Sequence, residues 1–452
     1  VYMLYGNEAG LTGTISLQNA NASFIGETAG CEAGYDLSGG GDVNNDGYDD
    51  FLIASPHNVF AGQAKGKVCL ILGREEPYSM DTSLADANAS FGLQQSDSES
   101  KIAIIKDVNG DNYDDILIGD TDYGEGDIYS AGKVYLIFGN ETVPSLDFAV
   151  DNANASYLGI HQTDYAGYSV SGVGDVNGDT FGDFIIGSVY NDDGGWAAGQ
   201  VYLIFGDDSD WGTDINLTNA DVTFTAESGG DHAGWSISGV GDVNGDTLND
   251  FVIGAHENSE ADSDAGQVYL ILGKSKWESE YDLSNTDASF LGESDSDRLG
   301  HMVSQAGDIN NDGYDDFLIT ASGYAEQDTS LGKVYVIFGK DSGWSMDTSL
   351  KKTKPSFIGQ GDQNSRILSA VGAGDVNNDG YDDILIGEYQ NSASESNAGY
   401  SFLFLGAESR EFYDEGLPWW IFLIIGGIAA GLIVAVVLKR SKKEGNKNQA
   451  KD

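Results

Sequence analysis

The chain has 452 residues, 40% of them hydrophobic, with 73 acidic against 22 basic side chains and a formal net charge of -51. The hydrophobic content excludes a disordered acidic tail, and the charge excludes a nucleic-acid partner and simple docking onto anionic lipid, both of which want a basic face. Two cysteines, Cys31 and Cys69, are too few for a disulfide framework and read as free thiols. With 62 glycines, 5 prolines, abundant aromatic and β-branched residues and few helical patterns before residue 418, the composition reads as all-β.

The chain opens on "VYMLYG" (1–6), with no Met and no leader. This run belongs to a series that continues as "KVCLILG" (67–73), "KVYLIFG" (133–139), "QVYLIFG" (200–206), "QVYLILG" (267–273), "KVYVIFG" (333–339) and "YSFLFLG" (400–406). Between these runs stands an acidic segment, "GDVNNDGYDD" at 41–50 and five close copies, whose first Asp falls at 42, 107, 175, 242, 308 and 375. Spacings of 65 to 68 residues imply a repeat architecture. In the third unit "AGYSVSGVGD" (166–175) precedes the acidic loop, "FGDFIIGSV" (181–189) follows it, and "GQVYLIFG" (199–206) and "ADVTFTAE" (220–227) come next. Each is a short β-rich run between turn residues, so one unit is four strands with the acidic loop joining the first two.

Four-stranded units repeated around a ring make a β-propeller, with a solenoid as the alternative. Seven third-strand runs predict seven blades, and the first blade's inner two strands are missing from this chain; a sealed six-bladed ring is the runner-up. The expected divisions are a propeller over 1–406, a juxtamembrane linker over 407–417, a transmembrane helix over 418–438 and a basic tail over 439–452.

Counted from its first Asp, the first loop offers Asp42, Asn44 and Asp46 at positions 1, 3 and 5, the Tyr48 carbonyl at 7 and Asp50 at 9. The other five sets are Asp107, Asn109, Asp111, Tyr113 and Asp115; Asp175, Asn177, Asp179, Phe181 and Asp183; Asp242, Asn244, Asp246, Leu248 and Asp250; Asp308, Asn310, Asp312, Tyr314 and Asp316; and Asp375, Asn377, Asp379, Tyr381 and Asp383. All donors are oxygen, which suits a hard cation such as calcium and disfavours zinc, copper and iron. Position 12 is apolar, Ile53 in the first loop, so this is not an EF-hand, which needs Glu there. The alternative is a metal-free turn of Asx type, in which three close carboxylates would repel. Position 4 is always Asn or Gly, fit for a left-handed backbone. Position 6 is Gly47, Asn112, Thr180, Thr247, Gly313 and Gly380; Thr fits such a backbone poorly, so the third and fourth loops are expected to bind more weakly.

"AGYSVSGVGDVNGDTFGDFIIGS" followed by "GQVYLIFG" resembles the FG-GAP repeat of the integrin α-subunit propeller. The family's Phe-Gly is here mostly Ala-Gly, as in Ala166-Gly167 and Ala233-Gly234, and its Gly-Ala-Pro is Ala54-Ser55-Pro56 or Gly254-Ala255-His256. The resemblance implies a calcium-binding propeller whose ligand face lies opposite the acidic loops. Even spacing leaves no room for an inserted ligand-binding domain, and no leg domains separate Gly406 from the apolar segment. The tail reads Val437-Leu438-Lys439-Arg440 where integrins have Gly-Phe-Phe-Lys-Arg, so pairing with a β subunit is not expected. The whole resembles a stripped prokaryotic, archaeal-type, single-pass relative.

"PWWIFLIIGGIAAGLIVAVVLKRSKK" (418–443) reads as a membrane anchor, with 18 uncharged residues from Ile421 to Leu438. Trp419 and Trp420 suit one interface and Lys439, Arg440, Lys442 and Lys443 the cytoplasmic side, which places the propeller outside. Gly427 and Gly431 form a GxxxG pair that would favour a homodimer, or are ordinary lipid-facing glycines. Sequons at Asn21, Asn88, Asn140, Asn154 and Asn216 are either glycan acceptors or chance in an Asn-rich chain.

The segments after each second strand carry an aromatic or His near their start: His57, Tyr123, Tyr190, His256, Tyr324 and Tyr389. Such side chains could stack on sugars or anchor a peptide, or simply pack between blades. The reading this supports is a calcium-stabilised cell-surface adhesion or recognition receptor for an extracellular protein or glycan. A structural envelope component without a specific ligand is the alternative. A propeller-linked hydrolase or lyase fits less well, because five scattered histidines and no nucleophile elbow or HExxH motif leave nothing to carry catalysis.

Overall fold

The computed structural model describes residues 1–6, 11, 15–94, 100–126, 128–209, 211–326, 329–359, 366–389, 399–407 and 435–436. Alternating short strands and glycine-rich turns produce seven antiparallel sheets in chain order, the blades of a propeller. Blade 4 is representative: its inner strand is Ala166–Gly174, its second Asp183–Ser188, its third Gln200–Ile204 and its outer strand Val222–Thr225. The third strand is buried at every residue, here and at Lys67–Ile71, Lys133–Ile137, Gln267–Ile271 and Lys333–Ile337. Neighbouring blades cover both of its faces, which is why these runs are continuously apolar rather than alternating. Tyr135, Tyr202, Tyr269 and Tyr335 occupy the same position in four of these strands and are fully buried.

The four-stranded expectation is extended in the structure. A two- or three-residue strand from each following unit pairs in parallel with the outer strand of the blade before it: Phe148–Ala149 on Ala89–Gly92, Ile215–Asn216 on Ala155–Leu158, Glu280–Asp282 on Val222–Thr225 and Thr348–Ser349 on Ala288–Leu291. These segments precede a short 3-10 turn whose leucine or valine is buried, and they were too brief to stand out in the sequence. They cover an edge that would otherwise be free to pair with another chain.

Blade 1 is represented by Tyr2–Met3, Ala22–Ile25 and the added strand Thr82–Ser83. It touches both neighbours. Leu17 packs with Tyr400, Leu403 and Leu405 of blade 7, while Phe24 packs with Ile53 and Cys69 of blade 2. On its inner side a cleft of about 410 Å³ opens between Met3 and Leu4, Leu37 and Phe51 of blade 2, and Ala373 and Leu385 of blade 7. This is where the inner two strands stand in the other blades. Cys31 and Cys69 are both free and buried.

Blade 7 comprises Arg366–Gly374, Asp383–Tyr389 and Tyr400–Phe404, with Ala435–Val436 paired in parallel on Leu403 and Phe404. Those two residues fall within the segment expected to be a membrane helix; the remainder of 418–438 and the tail lie outside the described residues. Among the described residues no helix is long and apolar enough to cross a membrane.

Blades approach one another through paired glycines. A Cβ on Gly119 would stand 2.3 Å from the Gly167 carbonyl oxygen, one on Gly187 2.6 Å from that of Gly234, and one on Gly254 2.4 Å from that of Gly300. Where blade 7 enters with Ile367-Leu368 instead of Ala-Gly, the equivalent residue of blade 6 is Thr320 rather than glycine. The Thr320 hydroxyl is buried and has no hydrogen-bond partner. Gly254→Val should therefore lower stability by about 3 kcal/mol through overpacking against backbone, whereas Thr320→Val should be neutral or stabilising because it removes an unsatisfied buried hydroxyl. Thermal unfolding of the two variants checks both.

Candidate metal-binding loops and the opposite face

Each acidic loop is a tight turn wound around its own carboxylates. In the first, the Asp46 and Gly47 N–H groups donate to Asp42 Oδ1 and Oδ2 at 3.1 and 2.8 Å, and the Tyr48 N–H donates to Asp46 Oδ1 at 3.0 Å. Asn44 accepts from the Asp46 N–H and donates its amide to Asp46 Oδ2 at 2.9 Å. The second, third and fourth loops repeat this pattern with Asp107, Asp175 and Asp242 as acceptors. In the fifth and sixth loops Asp308 and Asp375 keep both bonds. There, however, Asn310 Oδ1 and Asn377 Oδ1 are buried without a partner. Positions 4 and 6 have positive φ in every loop, including Thr180 at 81° and Thr247 at 76°.

Position 9 does structural work. Asp50, Asp115, Asp183, Asp250, Asp316 and Asp383 are at most 1% exposed. One oxygen of each accepts from the N–H of position 2, at 2.9 to 3.1 Å. The other accepts from the glycine that ends the third strand, at 2.7 to 2.9 Å. Burial outweighs these bonds and pushes the carboxyl groups up to about 6 for Asp50 and Asp383, about 7 for Asp250, and about 8 for Asp115, Asp183 and Asp316.

Position 8, to which sequence reasoning gave no role, joins one blade to the last. Asp114 accepts from the Asp42 N–H at 2.9 Å and returns its own N–H to the Asp42 carbonyl. Asn249, Asp315 and Asp382 do the same toward Asp175, Asp242 and Asp308. In the third loop the residue is Gly182, and only the backbone half of the clamp remains, Gly182 N–H to the Asp107 carbonyl at 2.8 Å. Its signal was the first acid of "YDD", Asp114 in the second loop.

The donor set of each loop, two Asp, an Asn, a carbonyl and a buried Asp, is all oxygen and fits a hard cation. The orphaned Asn310 and Asn377 oxygens are the feature of this structure that such an ion would satisfy. The carboxylates otherwise face backbone N–H groups rather than one another. Among the described residues the one group of three His, Cys or acidic side chains whose ligand atoms lie within 4.8 Å of one another is elsewhere: His232, His256 and Glu257.

That group belongs to the opposite end of the ring, where each second strand leads out. The six aromatic and His residues expected either to contact a ligand or to pack between blades occupy three different registers there. His256 and Tyr389 come directly after the second-strand residues Ala255 and Glu388, His57 and Tyr190 one residue later, and Tyr123 and Tyr324 later again. Tyr123 and Tyr324 cover the Lys133 and Lys333 ammonium groups, 4.8 and 4.6 Å from ring centre. His57 Nε2 lies 3.5 Å from Glu32 Oε2. Tyr190 meets Tyr165 and His232 edge to face. His256 is buried beneath Trp235, ring centres 4.0 Å apart, and burial followed by His301, His232 and Arg298 lowers its pKa to about 2. Tyr389 is 54% exposed. Sequence reasoning missed Tyr168 and Trp235, which follow the Ala-Gly pairs at the starts of neighbouring inner strands and lie 4.9 Å apart.

The recurrent Asn-Ala-Ser sequons have a structural role as well. Asn21, Asn88 and Asn154 each accept, through Oδ1, the N–H of Tyr5, Leu72 and Phe138 at the end of the third strand. Asp221 and Asp287 take that place in the next two units.

Comparison with known proteins comes to the same repeat. The FG-GAP repeat family matches residues 33–68, 233–271, 303–337 and 368–404. Integrin alpha pat-2 of Caenorhabditis elegans is 29% identical over 240 residues, covering 50% of this chain and 18% of that protein. Integrin alpha-8 of Mus musculus is 27% identical over 297 residues, 61% of this chain and 25% of that protein. Phosphatidylinositol-glycan-specific phospholipase D of Dictyostelium discoideum is 24% identical over 271 residues, 56% of this chain and 27% of that protein. In each case the aligned region is about a quarter of the relative's length or less.

Two outcomes follow from the loop geometry. Thr180→Gly and Thr247→Gly relieve a left-handed backbone and should each stabilise the protein by about 1 kcal/mol, read as a shift in denaturant midpoint. The position 9 carboxyls have folded pKa values above the unfolded 3.8, so between about pH 4 and 8 the folded state holds protons that the unfolded chain has released. Without a cation, stability should therefore fall as pH rises through that window. Melting temperature in chelator at about pH 5.5 and 8.5 checks the sign.

Proposed function

We propose that this chain, an integrin-α-like FG-GAP β-propeller, is a calcium-dependent cell-surface adhesion or recognition receptor that binds an extracellular protein or glycan. The observation that carries the reading is the division of labour between the two ends of the ring. One end holds six loops whose all-oxygen donor sets suit a hard cation, clamped blade to blade. The other carries long connections after the second strands, whose sequences differ from blade to blade. Similarity to integrin α chains favours a receptor over an envelope component. A propeller carried by a hydrolase is the second reading, favoured by the phospholipase D relative.

In this proposal each ion takes positions 1, 3, 5, 7 and 9 of one loop, from Asp42 to Asp383, and calcium is the ion because its coordination is oxygen-rich and tolerant of irregular geometry. Residues 418–438 anchor the propeller outside the cell, a state in which Ala435–Val436 leave their pairing with Leu403 and Phe404, and Gly427 and Gly431 favour pairing of two chains in the membrane. The ion binds the ionised carboxylates, so calcium also opposes the loss of stability at high pH.

The test is adhesion itself. Beads coated with the chain should clump, or bind cells saturably, in calcium, and release in chelator. A folded protein that does neither in calcium would overturn the receptor reading in favour of an envelope component. Hydrolysis of a glycan-anchored lipid substrate by the chain would support the second reading.

A further inference from the structure

We propose that His232, His256 and Glu257 form a zinc site on the face opposite the acidic loops, with three protein ligands and a fourth position open to solvent. His232 sits at the turn that leads into the inner strand of blade 5, in a left-handed backbone with φ 55°. His256 and Glu257 follow the second strand of the same blade, Asp250–Ala255. The antiparallel pairing of Ala233 with Ala255 brings the two segments side by side. His232 Nδ1 lies 3.0 Å from Glu257 Oε2, and His256 Nε2 lies 3.6 Å from Glu257 Oε1. All three ligand atoms lie within 4.8 Å of one another. Zinc bonds of about 2.0–2.1 Å in a tetrahedron place ligand atoms roughly 3.3 Å apart; the two measured contacts use different Glu257 oxygens, and an ion would draw one oxygen and both nitrogens in from within 4.8 Å to that spacing.

The setting supports the same reading. The His232 and His256 side chains are 12% and 4% exposed, and Glu257 is 29% exposed, which leaves one side of the group facing solvent. Trp235 packs on His256 and the Tyr190 ring meets His232 edge to face, fixing both imidazoles. His232 Nδ1 is shielded from solvent and faces Glu257 Oε2, and His256 Nδ1 is buried with no hydrogen-bond partner. Arg298 of blade 6 reaches Glu257 Oε1 at 3.6 Å and would have to turn away when zinc binds; its side chain is 44% exposed and has room to do so.

The same two positions in other blades show why the site is confined to blade 5. In blade 2 they are Glu32 and His57, and in blade 4 Tyr165 and Tyr190. Among the described residues, only in blade 5 does a histidine, His256, stand next to the pair. Two imidazoles and one carboxylate select a borderline-soft ion, whereas the acidic loops select a hard one. The two kinds of site should fill independently.

The full chain, kept in excess calcium, is titrated with zinc against a chromophoric chelator, and with cobalt to read the ligand-field bands. The expected result is one zinc per chain and visible cobalt bands of a four- or five-coordinate ion. Both should be lost, with affinity reduced at least roughly 100-fold, in His232→Ala and in Glu257→Gln. Neither change removes a fully buried group, and a thermal melt shows that each variant is folded. His57→Ala, which alters the equivalent pair in blade 2, should leave zinc binding unchanged. Failure of the folded wild-type chain to bind zinc at micromolar concentration, or binding that survives both substitutions, would overturn the site.

Discussion

The buried carboxylate at position 9 of each acidic loop is the interaction on which this ring depends. It holds the loop's second residue and the end of the third strand, and so fixes the inner three strands of a blade at one end. It does this shut away from water, where ionisation carries a cost that two hydrogen bonds do not cancel, so burial raises the pKa of the carboxyl. A cation placed within the loop offsets that cost. Position 8 then carries the constraint to the neighbouring blade through the Asp114, Asn249, Asp315 and Asp382 clamps. With no disulfides and both cysteines buried and free, the chain relies on these carboxylates and on close glycine contacts to keep its blades in register.

Much of the architecture was legible because the repeat is local. The alternating turn and apolar signals of each unit, the third-strand runs and the left-handed positions 4 and 6 are all written in short stretches, and the structure places them as strands and turns. The added parallel strands were not legible. Thr82–Ser83 or Phe148–Ala149 are two residues long and acquire their meaning only from the outer strand of another blade. Position 8 was hidden for the same reason, since its partner lies more than 70 residues away. The Asn-Ala-Ser motifs drew attention as glycan signals, while the structure gives their amide oxygens a place capping the third strand.

The opposite face was the least legible part. Aromatic or His residues recur after each second strand, but a shift of one or two residues puts those side chains in different surroundings. His256 is sealed under Trp235, Tyr123 and Tyr324 lie over lysines, and Tyr389 is exposed. The histidines looked scattered because three of them, His232, His256 and His301, are 24 and 45 residues apart and meet only through blade packing. The face is therefore uneven, with a polar histidine cluster in blades 5 and 6 and other chemistry elsewhere, which is what selective recognition would use.

The central claim is that the acidic loops are cation sites that hold the ring together. Its most direct test is a count of calcium by native mass spectrometry on the chain after exchange into calcium. The account predicts six ions, one per loop, with Asp316→Asn losing at least one and loosening blade 6. A folded chain that retains no calcium would contradict it, and would leave the loops as hydrogen-bonded turns stabilised by protonated carboxyls alone.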